Sequence, residues 1–101
     1  AMARSLEAVG VSYSMGGDEI NMGSTDVGNV SQAIPALHPL YEICGPEVVS
    51  HTVEFALASA GEFALERTCD MVVATTLTCV DVMCDAELLG RIKGAFATEV
   101  Q

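Results

Sequence analysis

Apolar residues recur at helical spacing through the last forty residues of the chain. Over residues 62–83 they fall on more than one side of a helix, which predicts one long helix buried on two sides. Asp85 is a good N-cap, so a final amphipathic helix is predicted to follow it. Its apolar positions are Leu88, Leu89, Ile92, Ala95 and Phe96.

Shorter helices are predicted upstream from their end signals. Residues 2–9 have the composition of a helix that Gly10 ends. The consecutive residues 24–26 are all good N-caps and predict a short helical turn. Ser50 or Thr52 caps a further helix, which reaches about Ala60.

Two segments have the patterns of strands. Val11–Met15 alternates apolar and polar residues. Ala36–Cys44 contains a proline, which excludes a helix interior, and several apolar residues that predict a buried strand. A Gly45-Pro46 turn separates it from the helices. The predicted fold class is therefore α/β, with few strands followed by three helices and too few strands to close a sheet alone.

The chain has a high apolar content for its size. The chain has 101 residues, enough for one small domain, yet half are apolar and only 5% are aromatic. A domain of this size buries only about 60% of the surface of its unfolded chain. We therefore expect some apolar faces to pack against protein outside this chain, either the rest of a larger domain or further copies in a homo-oligomer.

The charge balance excludes two classes of partner. Fourteen acidic residues against four basic ones give a net charge of −10, which argues against nucleic acid and against anionic membrane surfaces. No apolar run approaches the roughly 20 residues of a membrane span.

The four cysteines form no CxxC pair. Buried free thiols in a reducing compartment are favoured over a disulfide framework, so the predicted location is cytoplasmic.

Few residues offer catalytic or metal-binding chemistry. His51 lies where a loop meets a predicted helix, a position suited to a zinc ligand. A zinc site needs three or four protein ligands and no closely spaced set exists, so the local pattern alone favours an ordinary surface or core histidine. His38, between an apolar residue and a proline, is more typical of a structural or substrate-contacting residue.

Asp26 and Asn29 form a second candidate pair. They are three residues apart, so a helical turn places them on one side, where they are suited to a polar ligand. Gly28 between them would allow a close approach of another backbone or a ligand. An ordinary helix cap followed by a glycine-containing turn explains the same residues, and the local pattern favours it.

Taken in order, several runs resemble a known family. They are GSTDVGNVS at residues 23–31, IPALHP at 34–39, SHTVEF at 50–55 and AELLGRIKGAF at 86–96. This succession resembles the C-terminal part of the zinc-dependent aminoacylase and carboxypeptidase family, in its branch of aminobenzoyl-glutamate hydrolases and related dipeptidases. It covers roughly residues 23–96, and it is far more specific than any one of its motifs.

The resemblance implies a fold and a domain organisation. Family members have a catalytic domain, a three-layer α/β sandwich, interrupted by a smaller lid or dimerisation domain. Residues 1–22 then correspond to the connection returning from the lid domain, and residues 23–101 to the C-terminal part of the catalytic domain. The implied partners are the rest of the catalytic domain, the lid domain and a small amide or dipeptide substrate.

The resemblance also assigns site residues. The family's final metal ligand is the histidine of the Ser-His-Thr motif, which falls on His51 and reverses the interpretation from local pattern. Asp26 and Asn29 match a loop at the mouth of the active site, and His38 matches a strand beside it; all three are interpreted as substrate-binding. The implied cofactor is zinc, two ions in the full enzyme, which activates water while a glutamate moves the proton.

This sequence departs from the family pattern in two ways. The other metal ligands and the catalytic glutamate have no match here, so the segment alone is expected to be inactive and to hold zinc weakly. Val53 also replaces a proline often found there, which weakens the helix-start signal. The alternative hypothesis is a free-standing acidic module that oligomerises through its long apolar helix without catalysis.

Overall fold

The computed structural model describes residues 1–14 and 25–99. Every regular element in these residues is a helix. The five helices are α1 (Met2–Ala8), α2 (Val27–Ala33), α3 (Val53–Ser59), α4 (Glu62–Cys84) and α5 (Ala86–Glu99). The three predicted C-terminal helices, the helix ended by Gly10 and the short turn after residue 26 are therefore confirmed.

The predicted α/β fold class is wrong for the residues described. Neither residues 11–14 nor residues 36–44 form a strand; residues 11–14 and 36–42 have no regular secondary structure, and residues 43–44 form a bend. Met15, the end of the first predicted strand, lies outside the described residues. A strand is stabilised by hydrogen bonds to a neighbouring strand, and residues 1–14 and 25–99 provide none. Leu37 and Leu40, predicted to be buried, are 61% and 56% exposed.

The helices are organised around α4. Helices α1, α3 and α5 all contact it, whereas α2 contacts no other helix in the described part of the chain. The most extensive of these contacts is the one between α1, which ends at Ala8, and α4, which begins at Glu62. The core is therefore built from two segments that are remote along the chain.

The core between α1 and α4 is small. Leu6 of α1 packs with Met71 and Ala74 of α4, and Ala74 is completely inaccessible to solvent. An alanine at this point allows the two helix backbones to approach closely, since a larger side chain would hold them apart. Met2, Val9 and Val11 pack around this cluster.

The helix ends follow from local chemistry. Gly10 has φ +73°, the left-handed conformation that commonly ends a helix, just after α1. Asp85 caps α5 by accepting a hydrogen bond from the Leu88 N–H at 2.8 Å. At Gly45 the chain turns, and the Val48 N–H donates to its carbonyl at 3.1 Å.

The buried residues of α4 are Ala64, Met71, Ala74 and Thr78, and much of the rest of the helix is exposed. The prediction of burial on two sides is therefore not met within the described residues. The four cysteines are free, as predicted, but only Cys44 is half-buried, whereas Cys69, Cys79 and Cys84 are exposed. The exposed side of α4 also carries large apolar residues, of which Met83 is 83% and Leu65 is 64% exposed.

Candidate functional site

His51 has an unusual backbone conformation. Its φ is +66°, and it is the only non-glycine with positive φ among the described residues. The left-handed region costs most L-residues roughly 1–2 kcal/mol, and histidine is among the residues found there more often. Its side chain is exposed. Residues held in this conformation are concentrated at functional sites, so the backbone singles out the same histidine as the sequence motif.

The residue after His51 fixes the turn. Thr52 Oγ1 accepts a hydrogen bond from the Phe55 N–H at 3.2 Å, which caps α3. The same hydroxyl donates to the Val49 carbonyl at 2.7 Å. One side chain thus ties the loop before His51 to the helix after it, and this confirms Thr52 as the cap of the predicted helix.

Asp26 and Asn29 share one helical turn, as predicted. The Asn29 N–H donates to the Asp26 carbonyl at 3.0 Å where α2 begins. The Asp26 carboxylate makes no capping hydrogen bond, while Thr25 Oγ1 accepts from the Val27 N–H at 3.4 Å. Both side chains are exposed, and no atom of the described residues lies within 4 Å of the place a Cβ would take at Gly28. The pair is therefore open to a ligand.

His38 lies in the segment after α2 and is exposed. Proline residues at positions 35 and 39 flank it, and each fixes its own backbone φ and stiffens the segment. The residue therefore lies neither on a helix nor on a strand.

The described residues do not fit a complete zinc site. Within residues 1–14 and 25–99 no three His, Cys, Asp or Glu side chains are placed to hold one metal ion. Structural and catalytic zinc sites use at least three protein ligands. His51 therefore has no set of further ligands around it among these residues.

Sequence reasoning missed a groove beside α4. The Tyr41 hydroxyl and Thr68 Oγ1 are 3.3 Å apart, and this hydrogen bond holds the segment after His38 near the helix. The groove between them is lined by Pro39, Tyr41, Thr68, Met71, Val72, Thr75 and Thr76. Among the described residues that line it, Tyr41 is the one titratable side chain, and the others are apolar or hydroxyl-bearing.

Comparison with known proteins gives two informative relatives. The chain is 35% identical over 79 residues to the human Xaa-Arg dipeptidase and 33% identical over 79 residues to the mouse Xaa-Arg dipeptidase. The matches cover 78% of this chain but only 18% of each relative's length. No family model matches the chain, and no solved structure matches it.

These similarities indicate the general class of protein to which the chain is related. The chain is a distant relative of part of a peptidase-type hydrolase. More narrowly, the two relatives are dipeptidases, and the chain spans less than a fifth of their length. In the part of the chain that the structure describes, no helix has both the length and the apolar character needed to cross a membrane.

Proposed function

We propose that this chain is one segment of a metal-dependent hydrolase that cleaves an amide or peptide bond beside a small carboxylate-bearing group. The observation that carries the proposal is the 79-residue similarity to Xaa-Arg dipeptidases. Residues 23–101 are assigned to the C-terminal part of the catalytic unit, and residues 1–22 to the connection from a lid domain. The four free cysteines support a reducing, cytosolic location.

The segment's chemical contribution is a ligand and part of a cleft wall. His51 supplies one imidazole to zinc, and the remaining ligands and the proton-transferring group come from outside this chain. Its left-handed backbone and the Thr52 cap support this role, because they hold the imidazole at the end of a helix. The exposed side chains of Asp26, Asn29 and His38 contact the substrate.

A dipeptide with a C-terminal arginine is the first substrate to test. The name of the relatives points to it, and so does charge. This segment carries a net charge of −10, which attracts a cationic dipeptide and repels an anionic aminobenzoyl-glutamate. An N-acyl amino acid completes the set of substrates to compare.

The test uses the full-length polypeptide that contains this segment. We expect zinc-dependent hydrolysis of at least one of these three substrate classes. His51→Asn, which tolerates the left-handed backbone, should lower kcat/KM by at least about 100-fold, since even indirect ligand partners are worth 10–100-fold. Glu54→Gln, an exposed neighbour in α3, is the control and should retain activity. Full activity of His51→Asn, or no hydrolysis by metal-loaded protein, contradicts the proposal.

The exposed apolar side of α4 favours one alternative, an acidic module that oligomerises without catalysis. In that case the native polypeptide forms a folded assembly that does not depend on His51. Its mass and sedimentation decide between the two. A native polypeptide near the length of this chain, assembled and inactive, supports the module; a much longer one with hydrolytic activity supports the enzyme.

A further inference from the structure

His38 stands at the end of a stretch that the described residues leave uncovered. Every residue from Gln32 to His38 is exposed. Helix α2, which precedes this stretch, contacts no other helix in the described part of the chain. Pro39 is the first residue after it that is half-buried. Within the described residues, the position of His38 is therefore set by the residues that follow it.

The residues that follow His38 contact α4. Pro39 and Tyr41 both line the groove beside that helix. The Tyr41 hydroxyl lies 3.3 Å from Thr68 Oγ1 of α4, within hydrogen-bonding distance. Because the φ of a proline is fixed, the chain between His38 and Tyr41 has one freely rotating backbone bond fewer than an ordinary chain of that length. A displacement of Tyr41 is therefore passed to His38 through a short and partly stiffened link.

The hydrogen bond between Tyr41 and Thr68 has a defined direction. Thr68 has a single hydroxyl hydrogen, which it donates to the Ala64 carbonyl of its own helix at 2.7 Å. Thr68 Oγ1 is then left as an acceptor, so the Tyr41 O–H is the donor. Tyr41 is thus bonded to an oxygen that α4 itself holds in place. Tyr41→Phe removes this bond and keeps the aromatic ring in the groove.

We propose that Tyr41 and Thr68 are positioning residues for His38, because their hydrogen bond fixes to α4 the segment that holds the imidazole. This inference rests on the proposed function, which makes His38 a substrate contact. In this role neither residue touches the substrate. The pair raises the fraction of molecules in which His38 is placed to bind. A single hydrogen bond shifts such an equilibrium by roughly two- to tenfold, and apparent affinity falls with the competent fraction.

Steady-state kinetics of the full-length polypeptide test this role, with whichever of the three substrate classes it hydrolyses. Tyr41→Phe and Thr68→Val should each raise KM about two- to fivefold and leave kcat within about twofold, because the loss affects binding and not the chemical step. Thr68→Ser keeps the hydroxyl and should behave like the wild type.

The matched control is Thr76→Val on the same helix. The Thr76 hydroxyl also donates to the carbonyl four residues earlier, at 2.8 Å, and Thr76 lines the same groove. The Tyr41 hydroxyl is bonded to Thr68 and not to this residue. Thr76→Val should therefore leave KM unchanged, and a rise equal to that of Thr68→Val would overturn the proposal.

Dependence on His38 separates positioning from simple stabilisation of the fold. In a His38→Ala background, Tyr41→Phe should no longer change KM, because no imidazole is left to position. An effect on KM that is equally large with and without His38 overturns the proposal, since Tyr41 then acts directly or through the fold. An unchanged KM in Tyr41→Phe alone also overturns it.

An NMR signal of the His38 ring makes the test independent of catalysis. In full-length protein with ¹³C-labelled histidine, this signal is identified by its loss in His38→Ala. Tyr41→Phe and Thr68→Val should shift it in the same direction, and Thr76→Val should not. A shifted signal in a protein that hydrolyses none of the substrates refutes the proposed function alone. An unshifted signal in Tyr41→Phe overturns the positioning role, whether or not the protein is an active hydrolase.

Discussion

The hydroxyl oxygen of Thr78 lies 3.0 Å from that of Ser5, although 73 residues separate the two along the chain. Both residues are buried, and the Thr78 hydroxyl also donates to the Ala74 carbonyl of its own helix at 2.9 Å. A polar contact at this point is satisfied only when α1 is seated in one position on α4. The pair therefore contributes to the specificity of the packing as well as to its stability.

Removing one hydroxyl of this pair should loosen α1. Thr78→Val keeps the side-chain shape but leaves the Ser5 hydroxyl with only its 3.4 Å bond to the Ala1 carbonyl, at a cost of about 1 kcal/mol. Amide hydrogen exchange in α1 should then be about fivefold faster. The double variant Ser5→Ala with Thr78→Val removes both polar groups and should recover part of the loss. Unchanged exchange in Thr78→Val would show that the contact carries no stability.

Enlarging Ala74, the residue at the crossing of α1 and α4, should lower the free energy of unfolding more than removing the Thr78 hydroxyl does. Ala74 is fully buried between α1 and α4, so Ala74→Leu forces the helices apart and should lower the free energy of unfolding by about 1–3 kcal/mol. Ala97→Leu, on an exposed position of α5, is the control and should stay within about 0.5 kcal/mol of the wild type. Denaturant unfolding measures both. Equal stability of the two variants would contradict the packing described.

The contribution of the His51 imidazole can be separated from that of its left-handed backbone. His51→Gly removes the imidazole and relieves the left-handed backbone, while His51→Ala removes the imidazole and keeps the strain. The glycine variant should be more stable than the alanine variant by roughly 1 kcal/mol, measured by thermal or denaturant unfolding. Zinc content and hydrolysis should fall equally in both. A difference in activity between them would assign the role to the backbone instead of the ring.

The cap after His51 should affect both α3 and catalysis. Thr52→Ala removes the hydroxyl that accepts from the Phe55 N–H, and should destabilise the start of α3 by about 1 kcal/mol. Hydrogen exchange at the first turn of α3 checks this. We also expect a lower kcat in the full-length enzyme, since His51 loses its fixed support. Thr52→Ser retains the hydroxyl, and a loss of activity as large as that of Thr52→Ala would exclude the capping explanation.

Helix ends were predictable from sequence because a few neighbouring residues determine them. Gly10 ends α1 through its own backbone, and Thr52 and Asp85 cap the helices that follow them. Each signal acts over three or four positions, which is the range that sequence reasoning covers best. Asp26 also lies at the start of a helix, but its carboxylate makes no capping bond.

Whether the two predicted strands form could not be read from local sequence in the same way, because a strand requires a partner elsewhere in the chain. Residues 36–44 have an extended, proline-containing pattern that excludes a helix but does not supply a neighbour. The contact of Ser5 with Thr78 was likewise invisible, since it joins remote positions. The motif around His51 marked the residue but carried no information about its positive φ. Its metal-ligand role remains a prediction.

The pairing of α1, which ends at Ala8, with α4, which begins only at Glu62, has a consequence during protein synthesis. Leu6 leaves the ribosome long before Met71 and Ala74, the residues that cover it, have been made. At roughly 5–20 residues per second, α1 waits on the order of 3–15 s for its partner. A chain interrupted within α4 exposes this unpaired helix, which makes such truncated products targets for chaperones and proteases.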